Sequence, residues 1–139
     1  PSSAASDVYK RQILNDVSAR DVQTAHKQWY FGKSLDGFTP IGPCIVTADA
    51  FADYPPRLGI RSFVNGEKRQ DSNTALQIFD IDHVIAELSQ GMTLKAGTII
   101  ATGTPAGVGM GMDPPQFLKP GDVVRCEIDG IGTLTNPVK

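Results

Sequence analysis

Apolar positions along the chain fall into short runs cut by Gly, Pro, Asn and Asp, the pattern of many brief strands and few helices. Ile13-Leu14 reads as the tail of a buried strand. A helix is expected from Ser18, a good N-cap with Asp21 three positions on, to about Lys27. Residues 38–46 read as a Pro/Gly turn followed by a strand, and residues 49–56 as a polar loop. Residues 58–64 alternate as a strand. Asn65-Gly66 is the strongest hairpin signal, because both central positions of a type I′ turn need positive φ. The return strand is expected over residues 67–71. Asp82 reads as the cap of a second helix carrying Val84, Ile85 and Leu88, with Gly91 as its stop. A short apolar strand is expected over residues 98–102, then a glycine-rich loop over 103–109. Residues 118–122 form another turn. Strands 123–128 and 132–136, joined by Asp129-Gly130, close the chain as an antiparallel pair. The order predicts an α+β fold with a mostly antiparallel or mixed sheet and two modest helices.

Length and composition narrow the class. A chain of 139 residues suits one domain with a real core, and 40% hydrophobic with 20% charged residues is ordinary for a globular protein. The formal net charge of −2, with no basic run, argues against a nucleic-acid partner. No apolar run is long enough to span a bilayer and no leader-type apolar segment opens the chain, so no membrane role and a cytoplasmic location are expected. Cys44 and Cys126 lie far apart and read as free thiols. Residues 1–12 have no periodicity and look like a translated library adapter, so the natural sequence is expected to begin near Ile13.

Chemistry concentrates in Asn15-Asp16-Val17-Ser18-Ala19-Arg20-Asp21-Val22-Gln23. Arg20 and Gln23, three apart, share a helix face, and Asp16 lies just before it. An aspartate at a strand end is a natural ligand for a hard cation, although one carboxylate cannot hold it alone, and a cap, turn or ion pair is the plainer role. Arg20 reads as a surface residue or as a bidentate clamp on a carboxylate. Lys33, between Gly32 and Ser34, can stabilise a developing enolate. It does not belong to a phosphate loop, since the required earlier glycine is Lys27. Trp29 and Phe31 read as core anchors. Gly103 and Thr104 can offer a backbone N–H and a hydroxyl to an anionic oxygen.

The opening stretch, Phe31-Gly32-Lys33-Ser34, Val64-Asn65-Gly66-Glu67 and Thr102-Gly103-Thr104-Pro105-Ala106-Gly107-Val108-Gly109 together resemble the ordered motifs of the fumarylacetoacetate hydrolase family. The resemblance runs from about Ile13 to the C-terminus and points to the C-terminal catalytic domain. It is closest to the branch of FAHD2-like and 2-hydroxyhepta-2,4-diene-1,7-dioate isomerase-like proteins. It implies a mixed β-roll, usually homodimeric, and a divalent cation, Mg²⁺ or else Mn²⁺ or Ca²⁺. The family's cation is held by a Glu-x-Glu pair and by the aspartate matching Asp16. Lys33 and Arg20 match catalytic positions; Gln23, Thr104 and Gly103 match substrate-binding ones. The implied reactions are hydrolysis, decarboxylation or isomerisation of 2-oxo or 2,4-dioxo acids, in catabolism. His26 and His83 match no catalytic position and read as surface or capping residues. No Glu-x-Glu occurs in the chain. Residues 13–139 are therefore expected to be a partial domain, of low activity alone. The alternative is a non-catalytic β-roll that serves as a binding or scaffold protein.

Overall fold

The computed structural model describes residues 10–25 and 27–139. His26 lies outside them, as do residues 1–9 of the adapter-like segment. β1 (Lys10–Leu14) pairs antiparallel with β2 (Ile41–Thr47). The strand thus takes in Lys10, Arg11 and Gln12, which composition had set outside the fold. Between the two strands lies α1 (Arg20–Ala25). A second sheet has the order β4-β3-β5-β6, with β3 (Gly59–Val64), β4 (Glu67–Asn73), β5 (Val123–Ile128) and β6 (Gly132–Pro137). Every ladder among the described residues is antiparallel. Together with α2 (Ile81–Gly91) this is the α+β architecture that the short apolar runs predict.

The core lies between the two sheets. Ile13, Leu58 and Ile131 are buried together, and Val46, Phe51, Cys126, Ile128 and Leu134 pack on them. Strand β1 therefore contributes the residue expected of it, with Ile13 2% exposed. Burying each such aliphatic side chain stabilises the fold by about 1.5–3 kcal/mol. Cys44 and Cys126 are free thiols, as expected.

Turn chemistry accounts for much of the register. Asn65 and Gly66 take φ of 52° and 85°, as the β3–β4 hairpin requires. The Asn65 side chain also donates to Asp122 Oδ1 at 2.8 Å and accepts from the Val123 N–H at 2.9 Å, so the hairpin tip is tied to the turn entering β5. At the β5–β6 turn, Asp129 accepts from the Gly59 N–H at 3.1 Å and from Arg61 at 2.9 and 3.3 Å. The Arg61 hydrogen bonds hold the Asp129 carboxyl below the usual carboxylate range.

Three expectations of local structure are corrected. The second helix is capped by Asp80, whose carboxylate accepts from the His83 N–H at 2.7 Å. Asp82 falls inside the first turn, where its charge suits the helix dipole, and it accepts from the Tyr54 hydroxyl at 2.6 Å. Residues 98–102 form no strand. Thr98 folds back instead: its N–H donates to the Lys95 carbonyl at 3.0 Å, and its hydroxyl accepts from the Lys95 N–H at 3.1 Å. Trp29 and Phe31 are 65% and 54% exposed and anchor no core. Their segment docks through the backbone of Gly32, which leaves the flanking rings outside.

The Asp129 geometry sets a pH dependence. Its depressed carboxyl stabilises the fold above the unfolded value of about 4, and that contribution is lost as pH falls through the lower folded value. Asp129→Asn should lower the urea midpoint at pH 7, with the gap from the parent closing towards about pH 2. An equal gap at both pH values would contradict this role.

Candidate active site

The site is organised by one close approach. Residues 31–33 make a single 3-10 turn, and its middle residue, Gly32, is buried against α1. The Gly32 carbonyl accepts from the Ala19 N–H at 2.8 Å. A Cβ at position 32 would stand 2.8 Å from the Gln23 nitrogen and 2.9 Å from the Ala19 oxygen, closer than side chains pack. Only glycine lets the two backbones meet in this way.

That contact delivers Lys33. Its ammonium pairs with the Asp16 carboxylate and donates to Ser18 Oγ at 3.1 Å. The Asp16 and Lys33 side chains are 39% and 28% exposed, so the pair is open to a ligand. Ser18 is not the helix cap. Helix α1 starts at Arg20, and the Ser18 hydroxyl donates to the Asp16 carbonyl at 3.2 Å while receiving Lys33. The sequence reading missed this role for Ser18, because a capping residue and a lysine partner look alike until Gly32 brings Lys33 across.

Arg20 and Gln23 share a face as their spacing predicts. Arg20 donates from Nη1 to Gln23 Oε1 at 2.9 Å, and Gln23 is buried, at 4% exposure. Gln23 therefore holds the guanidinium at the helix start and leaves its other N–H groups for a carboxylate.

Gly103 and Thr104 stand in a separate group. Gly103 takes φ of 100°, and both residues are exposed. Thr104 Oγ1 accepts from Gln70 Nε2 at 2.8 Å, which ties the loop to β4. The predicted residues thus fall into two groups, Asp16, Arg20, Gln23 and Lys33 in one and Gly103 and Thr104 in the other, with Ser18 joining the first and Gln70 the second. His83 is exposed at the start of α2 and stacks on Phe79 at 4.7 Å, in keeping with a surface role; it is not the cap, its backbone N–H being the one that Asp80 caps.

The donor set can be weighed against a metal. Among the described residues no group of three or more His, Cys, Asp or Glu side chains could hold an ion. A hard dication takes six or more oxygen ligands, several of them anionic as a rule. One carboxylate already neutralised by Lys33 does not fit a complete cation site.

The chain belongs to the fumarylacetoacetate hydrolase family: the model of the fumarylacetoacetate (FAA) hydrolase C-terminal domain matches residues 2–139. It is 50% identical over 131 residues to the oxaloacetate tautomerase YisK of Bacillus subtilis, covering 94% of this chain and 43% of that protein. It is 51% identical to the mitochondrial oxaloacetate tautomerase of Xenopus laevis, covering 91% of this chain and 40% of that one. The fumarylacetoacetate hydrolase structure from Exiguobacterium antarcticum superposes with a TM-score of 0.88 at 55% identity, covering 92% of this chain and 46% of the other. The 2-hydroxyhepta-2,4-diene-1,7-dioate isomerase structure from Mycobacterium marinum superposes with a TM-score of 0.78 at 46% identity, over 91% and 46% of the two chains. The chain thus spans less than half the length of these relatives.

The Gly32 approach gives a direct test. Gly32→Ala should cost about 1–3 kcal/mol through the forced separation of α1 from the 31–33 turn, read as a lowered thermal midpoint. An unchanged midpoint would contradict the contact as described.

Proposed function

We propose that the whole protein is an enzyme acting on a 2-oxo or 2,4-dioxo acid by isomerisation, decarboxylation or C–C hydrolysis, with oxaloacetate as the first substrate to try. The observation that carries this reading is the Lys33 ammonium held beside Asp16 at the mouth of α1, with Arg20 fixed by Gln23 one turn along.

All three reactions place negative charge on the 2-oxo oxygen as a bond to the neighbouring carbon breaks. A fixed ammonium stabilises that charge more in the transition state than in the ground state. Lys33 supplies it, with Ser18 holding the ammonium from a second side. Arg20 binds a substrate carboxylate through its free N–H groups. Gly103 and Thr104 bind a carboxylate oxygen from the other cluster. The names of the relatives support an isomerase or hydrolase of this substrate class.

The reading includes a divalent cation, Mg²⁺ or else Mn²⁺ or Ca²⁺, with Asp16 as one ligand. On this reading the remaining ligands come from sequence outside this chain. Bound there, the cation would polarise the 2-oxo acid as a Lewis acid. The reading also takes the protein to be a cytoplasmic homodimer in catabolism. The two free thiols agree with the cytoplasmic part of that reading. No helix of the described residues is long and apolar enough to cross a membrane.

Asp16→Ala tests the ligand role in the whole protein. Metal-dependent turnover of oxaloacetate should vanish while the thermal midpoint stays within a few degrees. Unchanged turnover would refute the assignment.

A further inference from the structure

Thr104 is exposed, yet its hydroxyl is not left to rotate freely. Behind it stands Gln70, half-buried on β4. Gln70 Nε2 donates to the Pro105 carbonyl at 2.8 Å and to Thr104 Oγ1 at 2.8 Å. Gln70 Oε1 accepts from Ser62 Oγ on β3 at 2.8 Å.

The directions of these bonds are fixed by chemistry. A proline carbonyl can only accept, so the amide end facing it must be the NH₂ group. The other end is then the carbonyl oxygen, and Ser62 must donate to it. Both Nε2 hydrogens are spent, one on Pro105 and one on Thr104. Thr104 Oγ1 therefore accepts, and its own hydrogen points away from Gln70, towards the open side of the loop.

The loop is also pressed close. A Cβ at Gly107 would fall on the Arg69 carbonyl and 3.2 Å from Gln70 Cγ, and Gly107 takes φ of 103°. Only glycine lets the loop lie on β4 near enough for the short amide to reach both of its acceptors.

The geometry points to Gln70 as a positioning residue: a Ser62→Gln70→Thr104 hydrogen-bond chain sets the Thr104 hydroxyl as a donor to an anionic oxygen of the substrate. This rests on the 2-oxo acid reading. It deepens that reading by giving Thr104 a preference for carboxylate over neutral carboxamide or ester groups, since a hydroxyl donor bonds an anion more strongly than a neutral acceptor.

Gln70→Glu is the informative change, because it keeps the shape and reverses the polarity. A carboxylate cannot donate to Pro105 or Thr104, and it would draw the Thr104 hydrogen to itself. Below the carboxyl's own pKa the introduced side chain regains one donor. The test uses the whole protein with Mg²⁺, and oxalate as a stable dianionic probe. Calorimetry gives its Kd, and steady-state kinetics give KM and kcat for oxaloacetate.

Gln70→Glu should weaken oxalate binding and raise KM about tenfold at pH 8, with a smaller change in kcat, and the loss should shrink as pH falls. Gln70→Leu should show a similar loss that does not vary with pH. In a Thr104→Val background, Gln70→Glu should add little. A further tenfold loss in that background would overturn the proposal, because Gln70 would then act on the loop as a whole and not through the hydroxyl. Equal oxalate affinity in the parent and Gln70→Glu would overturn it too, while leaving the 2-oxo acid reading intact. A parent that binds no oxalate would overturn that reading and this proposal with it.

Discussion

The candidate site depends on two backbones meeting without a side chain between them. Gly32 lies on the first turn of α1, its carbonyl bonded to the Ala19 N–H at 2.8 Å. The ion pair of Asp16 with Lys33 follows from that contact. The contact carries Lys33 across to Asp16 and to Ser18, whose hydroxyl receives the ammonium. The exposure of Trp29 and Phe31 has the same cause, since a segment docked by its glycine turns its neighbouring rings outwards.

The second cluster has a different physical basis. Thr104 is positioned by a strand amide and not by its own loop. Gly107 lets the loop lie on β4, where it meets the Arg69 carbonyl. An exposed hydroxyl with a defined donor direction is worth more to an anionic ligand than one that must be ordered on binding, because the ordering cost is met in folding. The two clusters sit on different elements, one at a helix start and one against the second sheet.

Much of this was legible in the sequence. The period-2 runs, the Asn65-Gly66 hairpin and the Asp129-Gly130 turn carry local signals strong enough to place β3 to β6. Arg20 and Gln23 follow from helical spacing alone. The pairing of Asp16 with Lys33 was not legible, because it spans 17 positions and depends on a close approach that no pattern encodes. Gln70 was hidden for a more specific reason. Counting back from the hairpin pairs Ser62 with Arg69, but the ladder shifts between Ser62 and Phe63, and the bulge puts Gln70 opposite Ser62. Asp80 was passed over as a cap because Asp82 also precedes the apolar face, and only the extended backbone at position 80 separates them.

The central claim is that the ammonium brought in by Gly32 stabilises the charge developed on a 2-oxo acid. The most direct measurement is the rate of oxaloacetate turnover by the whole protein before and after Lys33→Met, followed by absorbance, with the thermal midpoint taken alongside. The account predicts a loss in kcat of about 10²–10³-fold with folding retained. A folded Lys33→Met protein that turns oxaloacetate over at the parent rate would contradict it.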